Sequence, residues 1–295
     1  MKKPLLLIAL MGLMYQACSN STIEGENEIE TMMKSDFSSI LDLPSISYNY
    51  ANPSLPSHFR DNDLQNIDNT PSNNLITDAG ATLGRVLFYD KNLSANNTIA
   101  CASCHLQANG FADPNRFSTG FLGGTTGRNS MSLANAKYYD NGRFFWDERA
   151  ESLEEQVLKP IQDEVEMGLS LAALVDKLQA LDYYSPLFQS AFGSSEITED
   201  RISKSLSQFI RSMVSYQAKF DVGATQARSI ENDNFSNFSQ IENQGKQLFF
   251  SGRTQCSNCH ETVSFSGDQA RNNGLDTFTT DAGTGGITGR NQDLG

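Results

Sequence analysis

Histidine is scarce in this sequence: three residues in 295, His58, His105 and His260. Tryptophan occurs once, at Trp146, and cysteine five times, at Cys18, Cys101, Cys104, Cys256 and Cys259. Positive charge is thin as well, with 22 Lys and Arg against 35 Asp and Glu, a net charge of −13. Such a balance disfavours nucleic acid and anionic lipid as partners and suits a small basic protein, or simply a well hydrated exported surface. No sustained β-branched alternation occurs, so the chain reads as all-α. Long apolar runs are missing too. The first, in MKKPLLLIALMGLMYQAC, is too short to span a bilayer and follows Lys2 and Lys3, which marks a secretory signal over residues 1–18. A cysteine directly after Ala17 points to lipid attachment at Cys18, with an ordinary signal cut as the alternative because Tyr15 is bulky. The expected location is the periplasm, with a lipid anchor to the membrane if Cys18 is acylated.

With 38% hydrophobic and 19% charged residues, the rest of the chain is long enough for more than one domain. Residues 19–80 are polar and rich in Asn, Ser, Asp and Pro, and read as a tether or a wrapping arm. His58 lies there, where a solvated loop residue is expected. An internal repeat follows. Gly84 to Asp90 (GRVLFYD) precedes ACASCH, and Gly245 to Ser251 (GKQLFFS) precedes QCSNCH. Each His is followed by Phe and then Asp: Phe111 and Asp113, then Phe265 and Asp268. A repeated unit of this kind suggests duplicated domains, over 81–221 and 222–295. Between the copies, helices are expected over Ser152 to Leu158, stopped by Pro160, and over Leu169 to Leu181. A third carries the stripe Ile202, Leu206, Phe209, Ile210, Met213, with Thr198 as its N-cap.

The cysteines carry the chemistry. Cys101 and Cys104 precede His105, and Cys256 and Cys259 precede His260, as two C-x-x-C-H words. In an exported chain a C-x-x-C pair can be a disulfide, half a zinc site or a haem attachment. Zinc wants four ligands, and only one histidine is left over for two sites. A redox C-x-x-C does not need the fifth residue. Haem does: two thiols add across its vinyl groups and the adjacent histidine meets the iron from the same face. Two covalently bound haem c groups are therefore expected, with His105 and His260 as iron ligands. That leaves open an electron carrier with both irons six-coordinate, or an enzyme with one open iron position. Carriers usually place Met or His opposite the axial histidine. Met213 falls on the helical stripe, Met32 and Met33 fall in the arm, and no Met, His, Tyr or Lys follows His260.

At this level of detail the sequence resembles the bacterial di-haem cytochrome c peroxidase family, including its MauG-like members, from about Ala81 to Gly295. The resemblance rests on LGRVLFYDKNLS, ACASCH, GFAD, GRNSMSLANA, FFWDERAESLEEQ, PIQDEVEMG and GKQLFFSGRTQCSNCH. It implies two cytochrome-c-like haem domains and reduction of hydrogen peroxide to water in the periplasm. His105 resembles the proximal ligand of the peroxidatic haem and His260 that of the electron-transfer haem. Trp146 matches the aromatic between the haems, Glu166 the distal acid and Gln156 the distal amide. A carboxylate in that place can move a proton from the inner to the outer peroxide oxygen. Arg128 and Asn129 match a segment near an interdomain calcium site, so calcium at Asn129 joins the expectations. The implied partners are hydrogen peroxide, a small electron-donor protein (a cytochrome c or a copper protein) and a second copy of the chain in a homodimer.

The sequence departs from the family in two places. Many members carry Ser-x-Gly-His in the loop after the first haem, its histidine capping the iron until reduction. Here the loop reads Ser118-Thr119-Gly120-Phe121, and phenylalanine cannot ligate iron. The first haem is therefore expected to be open without activation. The second departure is that GRNQDLG resembles an interior family segment, so the second domain is expected to be incomplete. A MauG-like oxidase that modifies a protein substrate, and a di-haem electron carrier, stand as the alternative functions.

Overall fold

The computed structural model describes residues 40–290 apart from 45, 268, 273, 275, 276 and 278. Cys18, Met32 and Met33 lie outside the described residues, as does Asp268 of the repeat. In chain order the α-helices are α1 (Asn62–Asn66), α2 (Asp78–Tyr89), α3 (Cys101–Cys104), α4 (Leu153–Gln156) and α5 (Lys159–Gln162). They continue as α6 (Leu171–Gln179), α7 (Tyr184–Phe192), α8 (Glu199–Arg211), α9 (Lys219–Gln226), α10 (Gln240–Phe250) and α11 (Gly285–Thr288). Short 3-10 turns join them, and among the described residues β structure is limited to four isolated antiparallel bridges. The fold is all-α. No described helix is long and apolar enough to cross a membrane.

The main core forms where α2, α7 and α8 meet. On α8 the apolar residues Ile202, Leu206, Phe209 and Ile210 recur at helical spacing and are buried, while Glu199 and Asp200 sit in the first turn, which favours acidic side chains. Thr198 is its N-cap, accepting from the Arg201 N–H. Met213 packs against the same core. The α2 helix buries Leu83, Val86, Leu87 and Phe88, each removing apolar surface at about 25 cal/mol per Å². It meets α8 almost backbone to backbone: a Cβ on Gly84 would stand 1.9 Å from the Ser205 carbonyl oxygen. Only glycine allows that approach.

Pro160 does not end the preceding helix as expected. The helix closes earlier, at Gln156, and Pro160 lies in the first turn of α5, where its missing N–H leaves nothing unpaired. Helix α6 starts later than the leucine pattern implies because Ser170 caps it by accepting from the Ala173 N–H, and it ends at Gln179.

The arm wraps. From Ser57 onward it forms a 3-10 turn and α1, and buries Phe59 and Leu64 against Tyr138 with Val214, Tyr216 and Val263 alongside. His58 is correspondingly not a solvated residue. It is buried, and its Nε2 pairs with Asp221 Oδ1 at 3.1 Å on α9. The position expected for the domain boundary, after Asp221, falls inside α9. Asn69 and Asn74 of the arm join a buried polar network. Asn74 donates to Glu154 Oε1 at 2.7 Å and accepts from Gln208 Nε2 at 2.9 Å. Arg211, 2% exposed, reaches Glu154 and Asn69. This network fixes α4 to α8 and so sets the position of Gln156.

The two repeats share their fold but differ in cover. The second helix, α10, buries only Asn243 and Lys246, and a Cβ on Gly245 would touch nothing within 4 Å. The helix before the word thus packs against α8 in the first copy, whereas a Cβ added at Gly245 of its counterpart meets nothing within 4 Å among the described residues.

Candidate functional site

Helix α3 is a single turn that begins at Cys101 and ends at Cys104, so its i, i+3 spacing sets both thiols on one face. Neither thiol is in a disulfide. His105 follows at the C-cap, with its Nδ1 2.9 Å from the Phe111 carbonyl and 3.0 Å from that of Met131. Carbonyls only accept, so Nδ1 carries the proton and Nε2 keeps a free lone pair. A hydrogen bond of this kind on the far nitrogen is what orients a metal-bound imidazole. Burial holds His105 below its ordinary pKa, against the pull of the two carbonyls, so the ring is neutral.

These three residues form one wall of a cavity with an empty volume of about 640 Å³, part of it open to solvent. Apolar side chains make up much of the rest, among them Phe88, Ile99, Leu133, Val157, Leu206 and Ile210. Gln156 and Glu166 also line it, so the structure brings together five of the residues singled out in the sequence. The cavity fits a covalently held porphyrin: an apolar slot, two free thiols at one edge and an imidazole nitrogen facing in. The zinc alternative fits poorly, since no three His, Cys, Asp or Glu side chains among the described residues converge as a metal cage.

Glu166 is held by a tight turn. Asp163 Oδ1 accepts from the Val165 and Glu166 N–H groups at 2.8 and 3.0 Å, and Gly168 continues the turn with φ +65°. The neighbouring acid is therefore structural rather than part of a solvated run. Burial raises the Glu166 pKa, the nearby Asp163 charge adds to the rise, and Arg149 partly offsets it. On the opposite side the loop 118–126 lies directly on this turn. A Cβ on Gly120 would stand 1.7 Å from the Val165 carbonyl oxygen, and the Phe121 N–H donates to the Glu166 carbonyl at 3.1 Å. The Phe121 ring lies against Gly168 and does not line the cavity. Sequence reasoning singled out this loop for its missing histidine but missed the Gly120 contact, whose signal lies only in the fold.

The second word repeats the arrangement in a more open setting. His260 Nδ1 lies 3.3 Å from the Phe265 carbonyl, and the ring sits 6.3 Å from Phe249 at 38°. The matching first pair, Phe88 and His105, is at 6.5 Å and 42°. Phe111 and Phe265 both take positive φ, 60° and 55°. Cys259 and His260 are exposed and Cys256 partly so. These residues can hold the second haem by the same chemistry.

Trp146 is 52% exposed and donates its indole N–H to the Asn129 carbonyl at 2.9 Å. Arg128, next to Asn129, clamps Asp281 with two hydrogen bonds of 2.7 and 2.6 Å and reaches Asp147 at 2.6 Å. Those hydrogen bonds hold the Asp281 carboxyl down at about 2. The tryptophan thus stands beside a strap that ties the first repeat to the second. Asn129 turns its amide nitrogen toward the carbonyls of Asp113 and Asn115, and no cluster of carboxylates gathers around it among the described residues.

The family model for di-haem cytochrome c peroxidase matches residues 78–228. This chain belongs to that family. Among relatives of the di-haem peroxidases, the methylamine utilization protein MauG of Methylophilus methylotrophus is 33% identical over 206 residues, covering 70% of this chain and 59% of the relative. The cytochrome c551 peroxidase of Nitrosomonas europaea is 30% identical over 217 residues, 72% of this chain and 62% of that protein. The chain thus spans about three-fifths of the length of these curated relatives. The crystal structure of a MauG-like protein associated with microbial copper homeostasis superposes with a TM-score of 0.65 at 29% identity, covering 86% of this chain and 72% of the other. The family uses covalent haem c, and the two C-x-x-C-H words of this chain are the attachment points expected for two such groups.

Proposed function

We propose that this member of the di-haem cytochrome c peroxidase family reduces hydrogen peroxide to water in the periplasm, taking electrons from a small redox protein. The observation that carries the reading is one cavity lined at once by Cys101, Cys104, His105, Gln156 and Glu166. When bound there, the haem supplies the redox-active iron at which the O–O bond is cleaved. His105 would hold its iron through Nε2, with Nδ1 fixed by the Phe111 and Met131 carbonyls. Gln156 orients the peroxide as a neutral hydrogen-bonding amide. Glu166 takes the proton from the inner oxygen and returns it to the outer one, so that H₂O₂, two electrons and two protons give two waters. Trp146 and the His260 site form the electron entry, and the acidic surface suits a basic donor such as a cytochrome c.

Phe121 supports an open first site that needs no reductive activation. The ferric, haem-loaded protein is expected to react with peroxide as isolated. A spectrum with the first haem fully low-spin and bound by two nitrogens overturns that part.

The assay of the whole reading is peroxide consumption by the loaded protein with reduced cytochrome c, two donors oxidised per peroxide. Absence of consumption overturns it. Covalent change in a co-purified protein with little peroxidase turnover favours the MauG-like oxidase, the reading that the MauG relatives support. Export with acylation at Cys18, and a homodimer, belong to the same proposal and are checked by fatty-acid labelling and light scattering.

A further inference from the structure

Behind the first haem site lies a group of buried side chains that the peroxide reaction does not use. Tyr183 and Tyr184, at the start of α7, both donate their phenolic O–H to the same oxygen, Asp90 Oδ2, at 2.8 and 2.7 Å. Their rings lie 4.7 Å apart between centroids at 37°. Asn92 fixes the carboxylate from the other side, its backbone and side-chain N–H groups both 2.8 Å from Oδ1. Asp90 follows directly on α2, two residues after Phe88, which lines the cavity and faces His105. Tyr184 is fully buried and shares the core with Cys101.

We propose that Tyr184 and Tyr183, sharing Asp90 as proton acceptor, form a redox relay that holds an oxidising equivalent drawn from the first haem site. The relay rests on the peroxide reaction proposed above. When peroxide arrives before the electron donor, the two electrons that reduce it must come from the loaded protein: the iron of the haem held at His105 would give one, and Tyr184 supplies the other. Its electron goes to the oxidised haem site, its O–H bond breaks, and the proton forms an O–H bond on Asp90 Oδ2, leaving a neutral phenoxyl radical.

Burial raises the Tyr184 pKa well above the usual phenol value, with the Asp90 charge adding to the rise, so the phenol stays protonated until it is oxidised. Electron loss without proton loss would leave a cation in an apolar core, and the hydrogen bond to Asp90 removes that cost. Tyr183 can take over the hole: its electron passes to Tyr184, Asp90 returns the first proton, and the Tyr183 proton moves onto the same oxygen. Lys177, which donates to the Ser94 carbonyl at 2.8 Å and feels the Asp90 charge, is the nearby cation. A purely structural hydrogen-bond pair predicts no radical.

The test uses the haem-loaded full chain, mixed with one equivalent of hydrogen peroxide without donor and frozen for EPR. The expected result is a free-radical signal that narrows when ring-deuterated tyrosine is incorporated and falls at least tenfold in Tyr184→Phe. Tyr48→Phe, at an exposed ring outside the group, leaves it unchanged. Should Tyr184→Phe fail to take up haem, Asp90→Asn keeps the shape of the acceptor and is expected to lower the signal by a similar factor. A haem that responds to peroxide without a deuterium-sensitive signal, or with one indifferent to these variants, overturns the relay alone. A haem that does not respond to peroxide overturns the proposed function and the relay together.

Discussion

Replacing Glu166 with alanine lowers the rate of peroxide reduction by about 10²–10⁴-fold while the haem at His105 keeps its resting spectrum. The size follows from the job: a positioned carboxylate is worth that much in a proton transfer. The geometry leaves no substitute, because Asp163 is committed to the turn and Gln156 cannot act as a base at neutral pH. The sign of the pH dependence is set by burial. As a base Glu166 must be deprotonated, and its pKa is raised, so kcat/KM falls with decreasing pH through a value above the usual carboxylate range of about 4.3. That acid limb disappears in Glu166→Ala. The variant unfolds no more readily than the parent, since a half-buried carboxylate with a raised pKa does not stabilise the fold when charged. Turnover within threefold of the parent sinks the assignment.

Glu154→Ala is expected to have the largest effect on stability. It strips Arg211 of its carboxylate and leaves a guanidinium that is 2% exposed with Asn69 as its one remaining side-chain acceptor in the network. Breaking a buried pair by removing one partner costs about 3–5 kcal/mol. At roughly 2–4 °C per kcal/mol for a chain of this size, Tm falls by about 10 °C. Burial opposes ionisation of Glu154, but the hydrogen bonds and charge of Arg211, with Asn74, outweigh it and hold the carboxyl below its usual range. A depressed carboxylate contributes fully above its unfolded pKa and loses that contribution as pH falls through the folded value. The difference in Tm between parent and variant is therefore constant near neutrality and shrinks below about pH 4. An unchanged Tm at pH 7 contradicts the role given to this network. Because the same network seats α4, peroxide turnover falls as well, through Gln156.

What could be read from the sequence was local or periodic. The two C-x-x-C-H words fix their chemistry in five residues, and the α8 stripe is a helix pattern whatever surrounds it. The duplicated helix before each word was visible because the residues themselves repeat. Long-range pairings were not legible. Asn74 bonds Gln208, 134 residues away, and His58 bonds Asp221 across 163, so a segment that reads as hydrated by composition is held by partners its own sequence does not contain. Gly120 and Gly84 look like ordinary glycines until the Val165 and Ser205 carbonyls are placed against them. Pro160 reads as a stop because a proline ending one helix and one opening the next look alike over a few residues. The Tyr183–Tyr184 pair carries no motif, and only the fold sets Asp90 between the two hydroxyls.

The contact of Gly84 with Ser205 makes the crossing of α2 and α8 the calibration point of the cavity. Phe88 stands one turn from that point on α2, Leu206 and Ile210 just beyond it on α8, and all three face the same space. With bare backbone already touching, the helices cannot draw closer to fill a void, and any residue larger than glycine would wedge them apart. The slot therefore has a preset aperture, and its fit to a guest can be retuned only through the side chains that project from its walls.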